Sequence, residues 1–209
     1  MSTAQVERVI TSGIFALDGG EWQVDNNVWL LGDDREVIIV DAAHDARAIA
    51  AAVGSRTVLA IVCTHGHNDH IGAALDLAEL VSAPVLLHPG DRMLWDQTHP
   101  GRAPGVLVEG AGLSVAGVDV EVINTPGHSP GSCVLHVPAL GVLFSGDTLF
   151  QGGPGATGRS YSDFDAIIAS ISQRLLTLPA ETRVLTGHGD ETTIGTEAPH
   201  LQEWIDRGH

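Results

Sequence analysis

Thr64-His65-Gly66-His67-Asn68-Asp69-His70 places three histidines and an aspartate within six positions, between an apolar run at 58–64 and an amphipathic stretch at 73–83. The apolar run reads as a buried strand, and apolar residues at helical spacing read as a helix packed on a sheet. Imidazoles and a carboxylate crowded onto the turn between them form a metal-binding arrangement. His65 and His67 alternate along an extended segment and can converge on one ion, whereas Asp69 and His70 begin the helix and point to a neighbouring position.

The same placement recurs downstream. His128 follows a predicted strand at 118–125, Asp147 one at 141–146, and His188 one at 183–187, and each stands beside a glycine that lets the backbone approach closely. Further strands are expected at 6–17, 27–32, 36–43, 84–88 and 132–137, and further helices at 46–53, 163–178 and 197–207. Residues 89–112 read as a long polar loop with a helical turn at 92–96, and Trp22 falls in a turn at 19–26. The two halves share one strand-then-helix grammar with no linker between them, so a single domain over 1–209, with two similar layers back to back, is expected.

Taken in order, Asp41, His65-Gly66-His67-Asn68-Asp69-His70, His128, Asp147 and His188 resemble the motifs of the metallo-β-lactamase-fold hydrolases, and the resemblance covers nearly the whole chain. It implies an α/β (α+β) fold, a four-layer αβ/βα sandwich with a two-metal site along one edge. It implies that His65, His67 and His128 hold the first metal, that Asp69, His70 and His188 hold the second, and that Asp147 bridges both. The reaction would then centre on Asp69, His70 and Asp147, with Asp41 orienting the ligand loop from outside. The cofactors implied are two divalent cations, zinc first, with iron or manganese as alternatives. Metal coordination brings the pKa of water to roughly 7, so a metal-bridging hydroxide can attack a carbonyl whose oxyanion the same charge stabilises.

Within that family, His67 stands where flavodiiron-type proteins carry Glu, and His70 where one major β-lactamase class carries Arg. The stretch Ser145-Gly146-Asp147-Thr148-Leu149-Phe150 is similar to the GDTLF segment of the glyoxalase II group, and Gly158-Arg159-Ser160-Tyr161 is similar to its thiol-contacting Gly-Lys-x-Tyr. This resemblance implies hydrolysis of a thioester of a low-molecular-weight thiol, with Arg159, Tyr161 and Trp22 as substrate-binding residues. Too few residues follow His188 for that group's helical C-terminal domain, which points away from glutathione and toward another thiol such as mycothiol. The alternatives on the same fold are a lactonase and a persulfide dioxygenase with a single Fe(II) on His65, His128 and Asp147. The latter branch's GRTDF segment is distantly similar to 158–164.

Charge narrows the partners. Ten Lys+Arg stand against 26 Asp+Glu, a formal −16, and all ten cations are arginine. Such a chain repels nucleic acid and anionic membrane surfaces, so a small anionic substrate is expected. No apolar run is long enough to span a bilayer, and the start lacks an apolar export segment, so a cytoplasmic protein is expected. Cys63 and Cys133 lie in apolar runs and read as buried free thiols. The oligomeric state has no signature. Outside the motifs, His136 reads as structural, His200 and His209 as solvated, and His88 and His99 as loop residues that could approach a substrate.

Overall fold

The computed structural model describes residues 3–208; His209, read above as solvated, lies outside them. Two six-stranded sheets face each other. The first runs β1 (Gln5–Leu17), β2 (Gly20–Gly32), β3 (Glu36–Val40), β4 (Thr57–Val62), β5 (Val85–Leu87) and β6 (Gly105–Val106) in spatial order. Its first three strands are an antiparallel meander, and β3 to β6 are parallel. The second sheet contains β7 (Leu113–Val115), β8 (Val118–Asn124), β9 (Cys133–Val137), β10 (Val142–Gly146), β13 (Arg183–Thr186) and β14 (Thr192–Thr193), in the order β14-β13-β10-β9-β8-β7. A short ribbon, β11 (Leu149–Phe150) and β12 (Gly153–Pro154), follows β10.

Alternation along the strands creates three apolar layers. In β2 and β3, Val28, Leu30, Val37 and Ile39 face helices α1 (Ala46–Val53) and α3 (Ala74–Val81), whereas Trp29, Leu31, Ile38 and Val40 face the second sheet. That sheet returns Val120, Val122, Leu135 and Phe144 to the shared interior. Its outer face, with Val134, Leu143 and Val184, meets Ile167 of α5 (Phe164–Ser170), Ile171 and Leu175 of the π-helical turn Ile171–Leu175, and Trp204 of α7 (Leu201–Arg207). Strands buried on both faces therefore read as unbroken apolar runs, and the layer order is αβ/βα.

The structure corrects several expectations. The first turn lies at Asp18-Gly19, both at positive φ (53° and 78°), so β2 begins at Gly20 and Trp22 is a strand residue paired with Phe15, not a turn residue. Asp-Gly suits the type I′ geometry that matches strand twist. Within 89–112 the expected turn at 92–96 is part of helix α4 (Arg92–Thr98), which buries Leu94 and Trp95, and β6 adds a strand to the first sheet where loop was expected. The closing helix is three pieces, α6 (Ile194–Glu197), a 3-10 turn at Ala198–His200, and α7. Among the described residues, no helix is long and apolar enough to cross a membrane.

Candidate metal centre

The parallel strands and their partners deliver the polar residues to one edge of the sandwich. Beyond β4 the chain turns through His65 and His67 into α2 (Asn68–Ile71), which carries Asp69 and His70. His128 follows β8, Asp147 follows β10, and His188 follows β13. The structure brings all seven together. His65 Nε2 lies 3.0 Å from His67 Nδ1, which lies 3.0 Å from His128 Nε2. His188 Nε2 lies 3.2 Å from His70 Nε2 and 3.2 Å from Asp69 Oδ2. Asp147 stands between these two groups, with Oδ1 3.3 Å from His70 Nε2 and Oδ2 3.6 Å from His128 Nε2.

Outer contacts decide which ring nitrogen faces inward. His128 Nδ1 donates to Ala156 O (2.8 Å) and His188 Nδ1 to Asp25 O (2.7 Å), leaving Nε2 of each for the centre. His65 Nδ1 meets Thr64 Oγ1, whose proton goes to Asp41, and His70 Nδ1 meets Asp41 Oδ2 at 2.8 Å. Asp41 also accepts from Thr64 N, so one buried carboxylate braces the turn and one of its rings. Asn26 is wholly buried; its Nδ2 donates to Asp69 Oδ2 and its Oδ1 meets His44 Nε2.

A cation fits this donor set. Lone pairs of His65, His67 and His128 converge, and buried Asp69 Oδ1 and Asp147 Oδ1 have no hydrogen-bond partner. Buried polar atoms are ordinarily satisfied, so these oxygens mark places for a positive ligand. Burial, and then the neighbouring His128, hold His67 down at about 3. His65 is likewise pushed well below its usual value by burial and by His70. Burial opposes charge on His188 too, but Asp147 and Asp69 outweigh it and raise it to about 10. His70 is raised well above its usual value against the same burial by Asp147, Asp69 and Asp41. Burial would raise Asp69, yet His70 and the bonds from His188 and Asn26 bring it to about 2.

These directions predict proton release. At pH 7 the metal-free protein carries protons on His70 and His188, and both nitrogens must surrender them to bind a cation. Loading at pH 7 should release about two protons per chain from these imidazoles, beyond what cation-bound water gives up near that pH, read by calorimetry in buffers of different ionisation enthalpy. The release should fall by one as pH passes about 10, where His188 has already deprotonated; pH-independent loading would contradict it.

A cavity of about 450 Å³ opens over the cluster, walled by Phe15, Trp22, Phe150 and Arg159 and reaching His67, Asp69, His128, Asp147 and His188. Arg159 Cζ lies 3.8 Å from the Trp22 ring centre and 5.4 Å from that of Phe15. Ser160 N donates to Asp18 Oδ2, fastening this loop to the hairpin tip. Trp22 and Arg159 line the cavity, Trp22 from a strand and not from the expected turn, but Tyr161 does not line it and is exposed at φ 70°. His88 and His99 turn to the backbone instead, at Gly90 N and Ile71 O. Sequence reasoning missed Phe15, whose signal was its register across the Asp-Gly turn from Trp22.

Residues 22–188 match the family described as the metallo-beta-lactamase superfamily. The chain is 36% identical to the probable metallo-hydrolase YqgX of Bacillus subtilis, over 82% of this chain and 88% of that one. It is 30% identical to the hydroxyacylglutathione hydrolase GloC of Haemophilus influenzae, over 79% and 85%. Among solved structures it is similar to the BLEG-1 B3 metallo-beta-lactamase, with TM-score 0.77, 34% identity, and coverage of 91% of this chain and 98% of that one.

Proposed function

The chain belongs to the metallo-β-lactamase superfamily, and from that premise we propose that it is a metal-dependent hydrolase cleaving the thioester of a small anionic thiol. The observation that carries this reading is a cavity lined by both Arg159 and the His/Asp cluster. The likeness to GloC, whose name specifies a glutathione thioester, supports it. His65, His67 and His128 would hold one divalent cation, Asp69, His70 and His188 a second, and Asp147 both. Zinc is the first choice, and iron or manganese suits the same donors. Bound there, the cations would lower the pKa of water toward neutrality and polarise a carbonyl oxygen.

The chain's own residues do the rest. Ala156 O, Asp25 O and Asp41 hold three of the imidazoles in the tautomer that points a lone pair inward. Phe15, Trp22 and Phe150 cover the centre with apolar surface, which strengthens charge interactions beneath them. Arg159 would take the anionic group of the substrate at the cavity wall. A thiolate leaves with a pKa near ~8.5 and needs no acid to protonate it, so the site requires no further proton donor. The buried free thiols Cys63 and Cys133 suit a reducing, cytoplasmic setting.

The likeness to BLEG-1 favours β-lactam hydrolysis as the second reading. Protein loaded separately with zinc, iron and manganese should be assayed on acyl-thioesters of glutathione, mycothiol and coenzyme A, on lactones, on β-lactams, and on glutathione persulfide with oxygen. Thioesters should lead in kcat/KM by about 100-fold, a gap of about 2.8 kcal/mol. A lactone or β-lactam turned over faster, or oxygen consumption by a one-iron form, would replace this reading.

A further inference from the structure

We propose that Asp91 is a positioning residue for the first cation subsite, its carboxylate tying the loop that carries His65 and His67 to the loop that carries His128. The proposal rests on the metal-centre reading above. Asp91 ends the 3-10 turn Pro89–Asp91 and stands immediately before α4, where a carboxylate ordinarily caps its own helix. It makes no such cap. Fully buried, it turns to two other loops: Oδ2 accepts from Gly66 N at 2.7 Å and Ser129 Oγ at 2.6 Å, and Oδ1 accepts from Gly131 N at 2.6 Å.

Two of the three partners adjoin a proposed ligand, and Gly131 lies on the His128 loop. Gly66 lies between His65 and His67, and Ser129 follows His128. The approach is close enough to dictate residue type: a Cβ on Gly131 would lie 2.6 Å from Asp91 N and 2.8 Å from its Cγ, and one on Gly66 would lie 3.0 Å from its Cβ. The second subsite has different braces, since His70 leans on Asp41, Asp69 on Asn26, and His188 on Asp25 O. Asparagine cannot replace Asp91. Whichever way its amide turns, an NH2 group faces one of two fixed backbone donors, Gly66 N or Gly131 N, so at least one tie is lost and two donors are set against each other.

The test uses cobalt(II) chloride added to the metal-free full chain and followed by absorbance. His188→Ala isolates the first subsite and His128→Ala the second. Asp91→Asn should weaken cobalt binding about 10- to 100-fold in the His188→Ala background, the range for residues that hold a ligand in place, and less than about 3-fold in the His128→Ala background. Equal losses in both backgrounds, or none in the first, would overturn the proposal. Should Asp91→Asn not fold, judged by circular dichroism, Ser129→Ala removes only one of the three donors and decides in its place. A loss confined to the His188→Ala background supports the proposal, and any other pattern overturns it. A wild-type chain that binds no cobalt would instead remove the metal centre itself, and the inference with it.

Discussion

Asp147→Asn is expected to lower thioester kcat/KM by on the order of 10³-fold while the chain stays folded. The substitution keeps the side chain's shape and removes its charge, at a position where that charge faces both halves of the cluster: Oδ1 toward His70, Oδ2 toward His128 and His188. Lewis-acid activation is worth several kcal/mol, and each 1.4 kcal/mol is a factor of ten, which sets the expected scale. The metal-free protein should respond as well. Asp147 is the leading upward influence on both His70 and His188, so its neutral replacement should move the titration of His188 down from about 10. Steady-state kinetics and imidazole titration by NMR check the two effects, and elemental analysis counts the metals held. An Asp147→Asn variant retaining two metals and full activity would show that Asp147 bridges nothing.

What could be read from the chain beforehand follows from where the groups sit. Ligand candidates were legible because each stands just past a strand, and strands buried on both faces between helices and a second sheet announce themselves as unbroken apolar runs such as Val37–Val40 and Val142–Phe144, whereas β8, before His128, shows itself by alternation with the exposed Asp119 and Glu121. Side chains acting across long sequence separations were not. Asp91 reaches Gly66, Ser129 and Gly131 by hydrogen bonds to two backbone amides and a hydroxyl, 25 to 40 positions away, and no spacing rule exposes such a tie. Helix α4 was legible only as a turn at 92–96, because only Leu94 and Trp95 of its seven residues are buried, too few to set up a periodicity. The position of Trp22 depended on one turn: narrowing it from 19–26 to Asp18-Gly19 makes Trp22 a strand residue and sets Phe15 opposite it.

That hairpin leads to the second large effect. Arg159→Gln should raise KM for an anionic thioester by about 10- to 100-fold with little change in kcat, because a hydrogen bond to a charged group contributes about 1.5–3 kcal/mol and this one would be made equally before and during reaction. With all ten cations arginine and a formal −16, the chain has few groups that can attract an anion, and Arg159 is the one arginine among the described residues lining the cavity. Its setting separates charge from packing. Stacked 3.8 Å over Trp22, the guanidinium also holds its loop against the hairpin. Arg159→Lys keeps the charge but loses the planar stack, so it should recover part of the KM if charge is what the substrate meets. A thioester of an uncharged thiol is the control and should be turned over equally by wild type and Arg159→Gln. Equal losses on charged and uncharged substrates would assign Arg159 to holding the loop alone, and the anionic-substrate proposal would then lose its anchor.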